Sequence, residues 1–209
     1  MVCVAMDSLC VDEDKRPLKY ISKFILLPHL QCIICGTGMQ ELATKWFGFV
    51  QNSMVFKNVV DLDRHVQGHL KKISDELNIP INQTSTIYHF GVDKINDKMV
   101  GFAYRSENSY ESEKLIHGFG IRPNYEDIAL KVTDLITQKG IILGIVNIIS
   151  QLKEMDENLE LEQQVGIGGE IHLVVLDKSG KYSVKSIHQF SDYDQDFSEM
   201  LENKNFNRC

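Results

Sequence analysis

Two pairs of residues have spacings that could support redox or metal chemistry. Cys32 and Cys35 form a Cys-x-x-Cys pair, the spacing of redox dithiols and of half a zinc site. Because the pair lies inside an apolar stretch and no second such pair follows, we predict two core cysteines, with a thiol- or metal-binding domain as a weaker alternative. His65 and His69 are four residues apart on a predicted helix, but the glutamate of a zinc-protease motif is missing. The sequence predicts neither a metal nor a cofactor.

The composition is that of an acidic globular domain. The chain has 209 residues, of which 43% are hydrophobic and 24% are charged, and its net charge is -7 from 22 basic and 29 acidic residues. It has no lysine- or arginine-rich stripe of the kind that neutralises phosphates. We therefore expect no nucleic-acid partner.

The apolar segments are too short to indicate a membrane protein. The longest apolar run, residues 141–149, is interrupted by Gly144 and Asn147 and is about half of the ~20 residues that cross a bilayer. The first residues lack the basic and apolar regions of a secretory signal. The chain has an odd number of cysteines, which favours reduced thiols over a disulfide framework. These features predict a cytoplasmic protein without a membrane partner. The cysteines are Cys3, Cys10, Cys32, Cys35 and Cys209.

The hydrophobic periodicity alternates between strands and pairs of helices. This order predicts an α+β fold, a four-layer αββα sandwich in which two antiparallel sheets lie between helix pairs. Residues 1–190 are predicted to form one domain that lacks the first strand of that fold. Residues 191–209 are predicted to form a polar, acidic tail with one frayed helix. The predicted strands are 2–6, 20–27, 31–35, 84–92, 99–104, 114–118, 171–176 and 182–187, and the predicted helices are 39–50, 61–77, 125–138 and 142–155.

Four segments in this order resemble the N-terminal-nucleophile hydrolases, in particular the β-type proteasome and HslV branch. Val4-Ala-Met-Asp7-Ser8 is similar to the family's second strand and its acidic motif. Lys23 lies 16 residues after Asp7 (23 - 7), which matches the family's spacing of acid and lysine. Ile33-Ile-Cys-Gly36-Thr-Gly is similar to the family's strand and glycine turn, and Val165-Gly-Ile-Gly168-Gly169 to the Gly-Gly turn before a late hairpin.

The resemblance implies a catalytic arrangement for three of these residues. In this family a terminal Thr, Ser or Cys attacks the substrate, and its own α-amino group acts as the base. By resemblance, Asp7 orients the lysine, Lys23 activates the nucleophile electrostatically, and the Gly36 N–H donates to the oxyanion. A homo-oligomer or a proteasome-like ring is the implied partner, and peptides or proteins are the implied substrates.

The sequence also departs from the family pattern. The nucleophile would lie one strand upstream of Asp7, whereas only six residues precede Asp7. Ile167 and Gln164 stand at the positions of a supporting serine and aspartate, and Gly118-Phe119-Gly120 replaces Gly-Ser-Gly. We therefore expect a catalytically silent or N-terminally truncated relative that acts through self-assembly or protein interaction. The alternative is an active peptidase or amidase of this type whose N-terminal Thr, Ser or Cys is encoded upstream.

Overall fold

The chain divides into two units, and each unit is built from separate stretches of sequence. In a computed structural model, the described residues are 1–53, 55–80, 83–116 and 118–206. The first unit contains Met1–Cys3, Lys23–His117 and Val175–Ser183, and the second contains Val4–Ser22, Gly118–Val174 and Val184–Cys209.

The described residues form ten strands and six helices. None of the helices in these ranges is long and apolar enough to cross a bilayer. The strands are β1 (Val2–Asp7), β2 (Leu9–Val11), β3 (Pro17–Tyr20), β4 (Phe24–Leu27), β5 (Cys32–Thr37), β6 (Thr86–Asp93), β7 (Lys98–Arg105), β8 (Ser112–Lys114), β9 (Glu170–Leu176) and β10 (Tyr182–Gln189). The helices are α1 (Gln40–Ser53), α2 (Val59–Glu76), α3 (Glu126–Ala129), α4 (Val132–Lys139), α5 (Ile141–Glu157) and α6 (Tyr193–Phe206).

The first unit contains an antiparallel sheet in the order β4-β5-β6-β7-β8. Because side chains alternate along a strand, Cys32 and Ile34 of β5 join the core beneath the helices, whereas Ile33 and Cys35 lie on the opposite face. All four side chains are buried. A strand buried on both faces explains why this stretch is continuously apolar.

Helices α1 and α2 contribute the other half of this core. Their apolar residues recur at intervals of three and four, so one face of each helix is buried. The buried helical residues of the core are Leu42, Trp46, Val50, Val59, Leu62, Val66, Leu70 and Ile73. The amphipathic pattern therefore predicted both helices and the faces that they bury.

A side-chain cap fixes the start of α2. The Asn58 side-chain oxygen accepts hydrogen bonds from the backbone N–H groups of Val60 at 3.0 Å and Asp61 at 2.9 Å. These two N–H groups lie in the first turn and have no acceptor within the helix. The cap places the start of the helix at Val59, two residues before the predicted start.

The second unit contains a β2–β3 hairpin, helices α3 to α5 and helix α6. Leu9 pairs with Tyr20 across the hairpin. Helix α6 packs on β3, where the Tyr20 and Tyr193 rings stack with centroids 4.4 Å apart. The Tyr20 hydroxyl donates to the Tyr193 carbonyl oxygen at 2.8 Å. The segment predicted as an acidic tail therefore contains a helix that packs within this unit, and Met200 is buried.

Several predicted boundaries differ from the observed elements. The helix predicted over 125–138 is two helices, α3 and α4, although Ile128 and Val132 stay buried at helical spacing across the break. The strand predicted over 20–27 is interrupted between β3 and β4. The strand predicted over 114–118 is observed at Ser112–Lys114, and residue 117 lies outside the described residues. Strand β2 was not predicted because the charged turn at residues 12–16 obscured its three residues.

Candidate functional site

The predicted acid, Asp7, lies in the second unit beside the Gly-Gly turn. Its carboxylate accepts a hydrogen bond from the Gly168 N–H at 3.2 Å. The next residue, Ser8, is buried, and its hydroxyl accepts a hydrogen bond from the Glu170 N–H at 2.8 Å. The Ser8 N–H donates in turn to the Gly168 carbonyl oxygen at 3.3 Å. The structure thus brings together two of the four sequence motifs.

The Gly-Gly turn needs glycine at position 169 and packs closely at position 168. Gly169 has φ = +76°, and a Cβ there would overlap the Ser8 hydroxyl. A Cβ on Gly168 would lie 2.8 Å from a methyl carbon of Leu9. The Asp7-Ser8 segment therefore packs against the turn with no room for a side chain between them.

The other two predicted residues, Lys23 and Gly36, are neighbours in the first unit. The Gly36 N–H donates to the Lys23 carbonyl oxygen at 3.4 Å, a hydrogen bond that continues the pairing of β4 with β5. A Cβ on Gly36 would lie 2.9 Å from Ile87 Cδ1 and 3.1 Å from Ala43 Cβ. The close packing of α1 on the sheet therefore favours glycine at this position. The N–H predicted to bind an oxyanion has an acceptor within the sheet.

These positions define the predicted site only within each unit. Asp7 belongs to the second unit, and Lys23 and Gly36 belong to the first. The pairing of the Asp7 carboxylate with the Lys23 ammonium stays a prediction from the resemblance.

The positions at which the family has a supporting serine and aspartate are occupied differently. Ile167 is buried and presents only its carbonyl oxygen, which accepts a hydrogen bond from Lys153 Nζ at 3.0 Å. Gln164 donates through its side-chain amide to the Leu159 carbonyl oxygen at 2.9 Å. Both residues stabilise the loop before the Gly-Gly turn, and neither presents a hydroxyl or a carboxylate.

Asp156 is a buried carboxylate that the sequence reasoning missed. It is 2% exposed and accepts hydrogen bonds from the N–H groups of Val165 at 2.9 Å and Gly166 at 3.0 Å. The Tyr125 hydroxyl also approaches it, at 3.4 Å. This residue ties α5 to the loop that leads into the Gly-Gly turn. Residues 154–162 are rich in acidic residues, a composition that predicts solvent-exposed side chains, so the sequence did not single out Asp156.

Lys153 is the second residue that was missed. Its ammonium bonds Glu157 at 2.6 Å and Asp192 at 2.8 Å, and it lies 5.5 Å from the centroid of the Phe190 ring. Burial alone would lower the pKa of Lys153, but the hydrogen bonds to Asp192 and Glu157 outweigh it and raise that pKa. The sequence feature that indicates one of these ion pairs is the i, i+4 spacing of Lys153 and Glu157.

Cys32 and Cys35 do not form a dithiol or metal site. They point to opposite faces of β5, and both thiols are free and buried. Burial raises the pKa of both thiols, to about 12 for Cys35, so neither is a ready thiolate. Within the described residues, no group of three or more His, Cys, Asp or Glu residues could hold a metal ion. Cys209 lies outside those residues.

His65 and His69 pack against aromatic rings. The centroid of the His65 ring is 5.5 Å from that of Phe56, and the centroid of the His69 ring is 4.6 Å from that of Phe49. His65 therefore packs on the segment before α2, and His69 packs on α1. The two-histidine metal site that the spacing allowed is not supported.

Comparisons with known proteins identify the fold. No protein-family model matches the chain, and no curated protein matches it in sequence. Among solved structures, it is similar to Anbu (ancestral beta-subunit) from Yersinia bercovieri, with a TM-score of 0.56 and 11% sequence identity over 97% of this chain and 88% of that chain. A likeness at this identity shows the fold alone. The chain has a proteasome-like α+β fold, as the sequence motifs predicted.

Proposed function

We propose that the chain is a proteasome-β-like subunit that assembles with other protein chains and is catalytically silent at the predicted site. The fold similarity to an ancestral beta-subunit, which extends over 97% of the chain, supports the first part. The hydrogen bond of the Gly36 N–H supports the second part and is the observation that carries it.

An oxyanion donor works only if its N–H is directed at the oxygen that becomes negative, at about 2.7–3.1 Å. The Gly36 N–H is directed at the Lys23 carbonyl oxygen instead. To bind an oxyanion, it would have to leave this acceptor, and the end of the β4–β5 pairing would open. Electrostatic catalysis depends on donors that need no such reorganisation. The pairing therefore disfavours hydrolysis at this site.

The loop before the Gly-Gly turn supports the same conclusion. The buried Ile167 side chain has no polar atom, and the Gln164 amide is bonded to a loop carbonyl. A nucleophile at this site would have neither a serine hydroxyl nor an aspartate at these two positions. The side chains of Ile167 and Gln164 stabilise the loop, and neither is an acid or a base that could transfer a proton.

An exposed apolar segment in the second unit supports assembly. Ile141, Ile142 and Leu143 are consecutive at the first turn of α5 and are 42, 45 and 61% exposed. Single exposed apolar residues are ordinary, but a contiguous group favours a protein contact. We propose that this segment contacts a second copy of the chain.

Two measurements on the full chain test the proposal. Light scattering should give a particle larger than the 23.9 kDa monomer. A peptide vinyl sulfone, which forms a covalent bond with an N-terminal nucleophile, should leave the intact mass unchanged. A monomer in solution would overturn the assembly part of the proposal.

Covalent labelling would favour the active alternative, and Lys23→Ala provides the control for it. If Lys23 activates a nucleophile, this substitution should abolish labelling while the particle size stays the same. Mass spectrometry of the N-terminus of the native protein would then show whether a Thr, Ser or Cys precedes the present sequence. Labelling that depends on Lys23 would overturn catalytic silence without affecting the assembly.

A further inference from the structure

In the second unit, helix α6 carries an exposed pair of apolar side chains. On its inner side Met200 is buried, and the Tyr193 ring stacks on Tyr20. Phe197 and Leu201, one helical turn apart, stay 48 and 47% exposed. Residues at this spacing lie on the same side of a helix. The second unit therefore has an exposed apolar surface on α6 in addition to the one at the start of α5.

The surroundings of this pair are acidic. Residues 191–203 contain five acidic residues and no lysine or arginine. Lys153 on α5 pairs with one of them, Asp192, whereas Asp194 is exposed. Asp194 precedes Phe197 by three residues and Leu201 by seven, a spacing that places all three on one side of the helix. We call these three residues the α6 face, an apolar pair with a carboxylate beside it.

The exposed segment at the start of α5 has the opposite charge. We call residues 139–143 the α5 tip. Lys139, which is exposed, is the single charged residue between positions 135 and 150. The first turn of α5 contains no acidic residue, and Gly140 at the N-cap offers no side chain to cap the helix. The partial positive charge of the backbone N–H groups at this helix end therefore adds to the charge of Lys139.

The two surfaces complement each other in both polarity and charge. Each exposes apolar side chains, and burying these together is favourable in water. The charged groups beside them have opposite signs, which favours a contact between the two surfaces. A contact between two α5 tips would instead place two Lys139 ammonium groups in one interface, and a contact between two α6 faces would do the same with two Asp194 carboxylates. Repulsion between like charges disfavours both of these pairings.

We propose that the α5 tip of one copy packs against the α6 face of a second copy. In the folded chain both surfaces are exposed, so neither covers the other, and the contact forms between chains. This inference rests on the proposed assembly and specifies the surface that receives the α5 tip. Because the contact joins two different surfaces, a bound copy can bind a further copy, and the assembly forms a ring or a filament and does not stop at a dimer.

Light scattering of two variants of the full chain, alone and mixed, tests the contact. Ile142→Glu disables the α5 tip and keeps the α6 face, whereas Leu201→Glu disables the α6 face and keeps the tip. Each variant alone should have the mass of the 23.9 kDa monomer. An equimolar mixture should form a dimer, because the intact tip of one variant fits the intact face of the other. Their two altered surfaces place glutamate against glutamate and stay apart.

Leu161→Glu is the matched control. Leu161 is 55% exposed and lies between Glu160 and Glu162, so it is also an apolar residue in acidic surroundings. It belongs to the three-residue turn Leu161–Gln163 and not to α6. This variant should therefore keep the wild-type mass.

An exchange of two charges tests the contact without changing an apolar residue. Asp194→Lys and Lys139→Asp should each lower the particle mass, because each places like charges at the contact. A chain with both substitutions restores opposite charges and should have a larger mass than either single variant. This exchange also provides the test if Leu201→Glu does not fold.

A monomeric wild-type chain would overturn the proposed assembly, and this inference with it. The inference alone fails if the wild-type chain assembles and Leu201→Glu keeps the wild-type mass, because the α5 tip then binds another surface. It also fails if the mixture of Ile142→Glu and Leu201→Glu stays monomeric, or if Leu161→Glu lowers the mass as far as Leu201→Glu does. A chain with both exchanged charges that has no larger mass than the single variants overturns it as well.

Discussion

The buried histidine His89 should make the first unit less stable in mild acid. His89 lies in the core with its Nε2 accepting a hydrogen bond from Trp46 Nε1 at 3.0 Å, and its Nδ1 has no partner among the described residues. The acceptor role of Nε2 requires the neutral ring. Protonation would direct two N–H groups at each other and place a charge in the core. Burial accordingly lowers the pKa of His89 to about 3.

The size of the effect follows from the difference between the folded and unfolded proteins. The unfolded chain takes up the proton near pH 6.5, whereas the folded chain does not until about pH 3, so stability is lost as the pH falls between these values. At about pH 5 the loss is about 2 kcal/mol relative to neutral pH. Asp196 acts in the opposite direction, because burial raises its pKa to about 6 and so stabilises the folded state in acid. Screening limits that gain to less than about 1 kcal/mol, so the His89 effect is larger.

Urea unfolding at neutral pH and at about pH 5, followed by tryptophan fluorescence, measures this difference. Trp46 is the single tryptophan of the chain, and its ring stacks on His89 with centroids 5.8 Å apart, so the signal reports on the core itself. His89→Gln keeps an acceptor for the Trp46 N–H but does not titrate, and it should remove most of the pH dependence. His65→Gln, at an exposed position, is the control. A His89→Gln chain with the full wild-type pH dependence would refute the reasoning.

Two further substitutions test the packing of Gly36 and the proposed assembly surface. Gly36→Ala should destabilise the chain by about 1–3 kcal/mol in urea unfolding, because its Cβ would lie 2.9 Å from Ile87 Cδ1. Gly48→Ala, in α1 with no atom within 4 Å, should be neutral or stabilising by up to about 1 kcal/mol. Ile142→Glu should lower the particle mass in light scattering, whereas Leu130→Glu, at another exposed apolar position, should not. Equal effects of the two glutamates would count against the proposed surface.

The hydrophobic pattern of the sequence was sufficient to predict the helices that bury one face and the strand that is buried on both faces. The three- and four-residue spacing of Leu42, Trp46 and Val50 identified α1, and the continuous apolar run of β5 identified a buried strand. Boundaries were less accurate where a short-range hydrogen bond decides them. Helix α2 begins two residues before its predicted start because the Asn58 side chain caps two N–H groups. The hydrophobic periodicity does not indicate that cap.

The polar network of the second unit could not be predicted from local pattern. Lys153 contacts Asp192, a residue 39 positions later (192 - 153), and Asp7 accepts its hydrogen bond from Gly168. Such contacts depend on which elements meet in the folded chain, and the polar sequence around Lys153 and Asp192 is typical of a solvated surface. The glycine residues in the sequence predicted the Gly-Gly turn, but they did not predict which residues contact it.

At Gly36, packing and catalysis place different requirements on the same residue. Gly36 lies within β5, and packing favours a glycine there, because a Cβ would lie 2.9 Å from Ile87 Cδ1 and 3.1 Å from Ala43 Cβ. Catalysis requires something further, namely an N–H directed at a substrate oxygen. Here the N–H is directed at the Lys23 carbonyl, and that direction is set by the register of β4 on β5. Packing therefore favours the residue type, whereas the strand register sets the direction of its N–H. A motif match identifies the residue type but not the direction of its N–H.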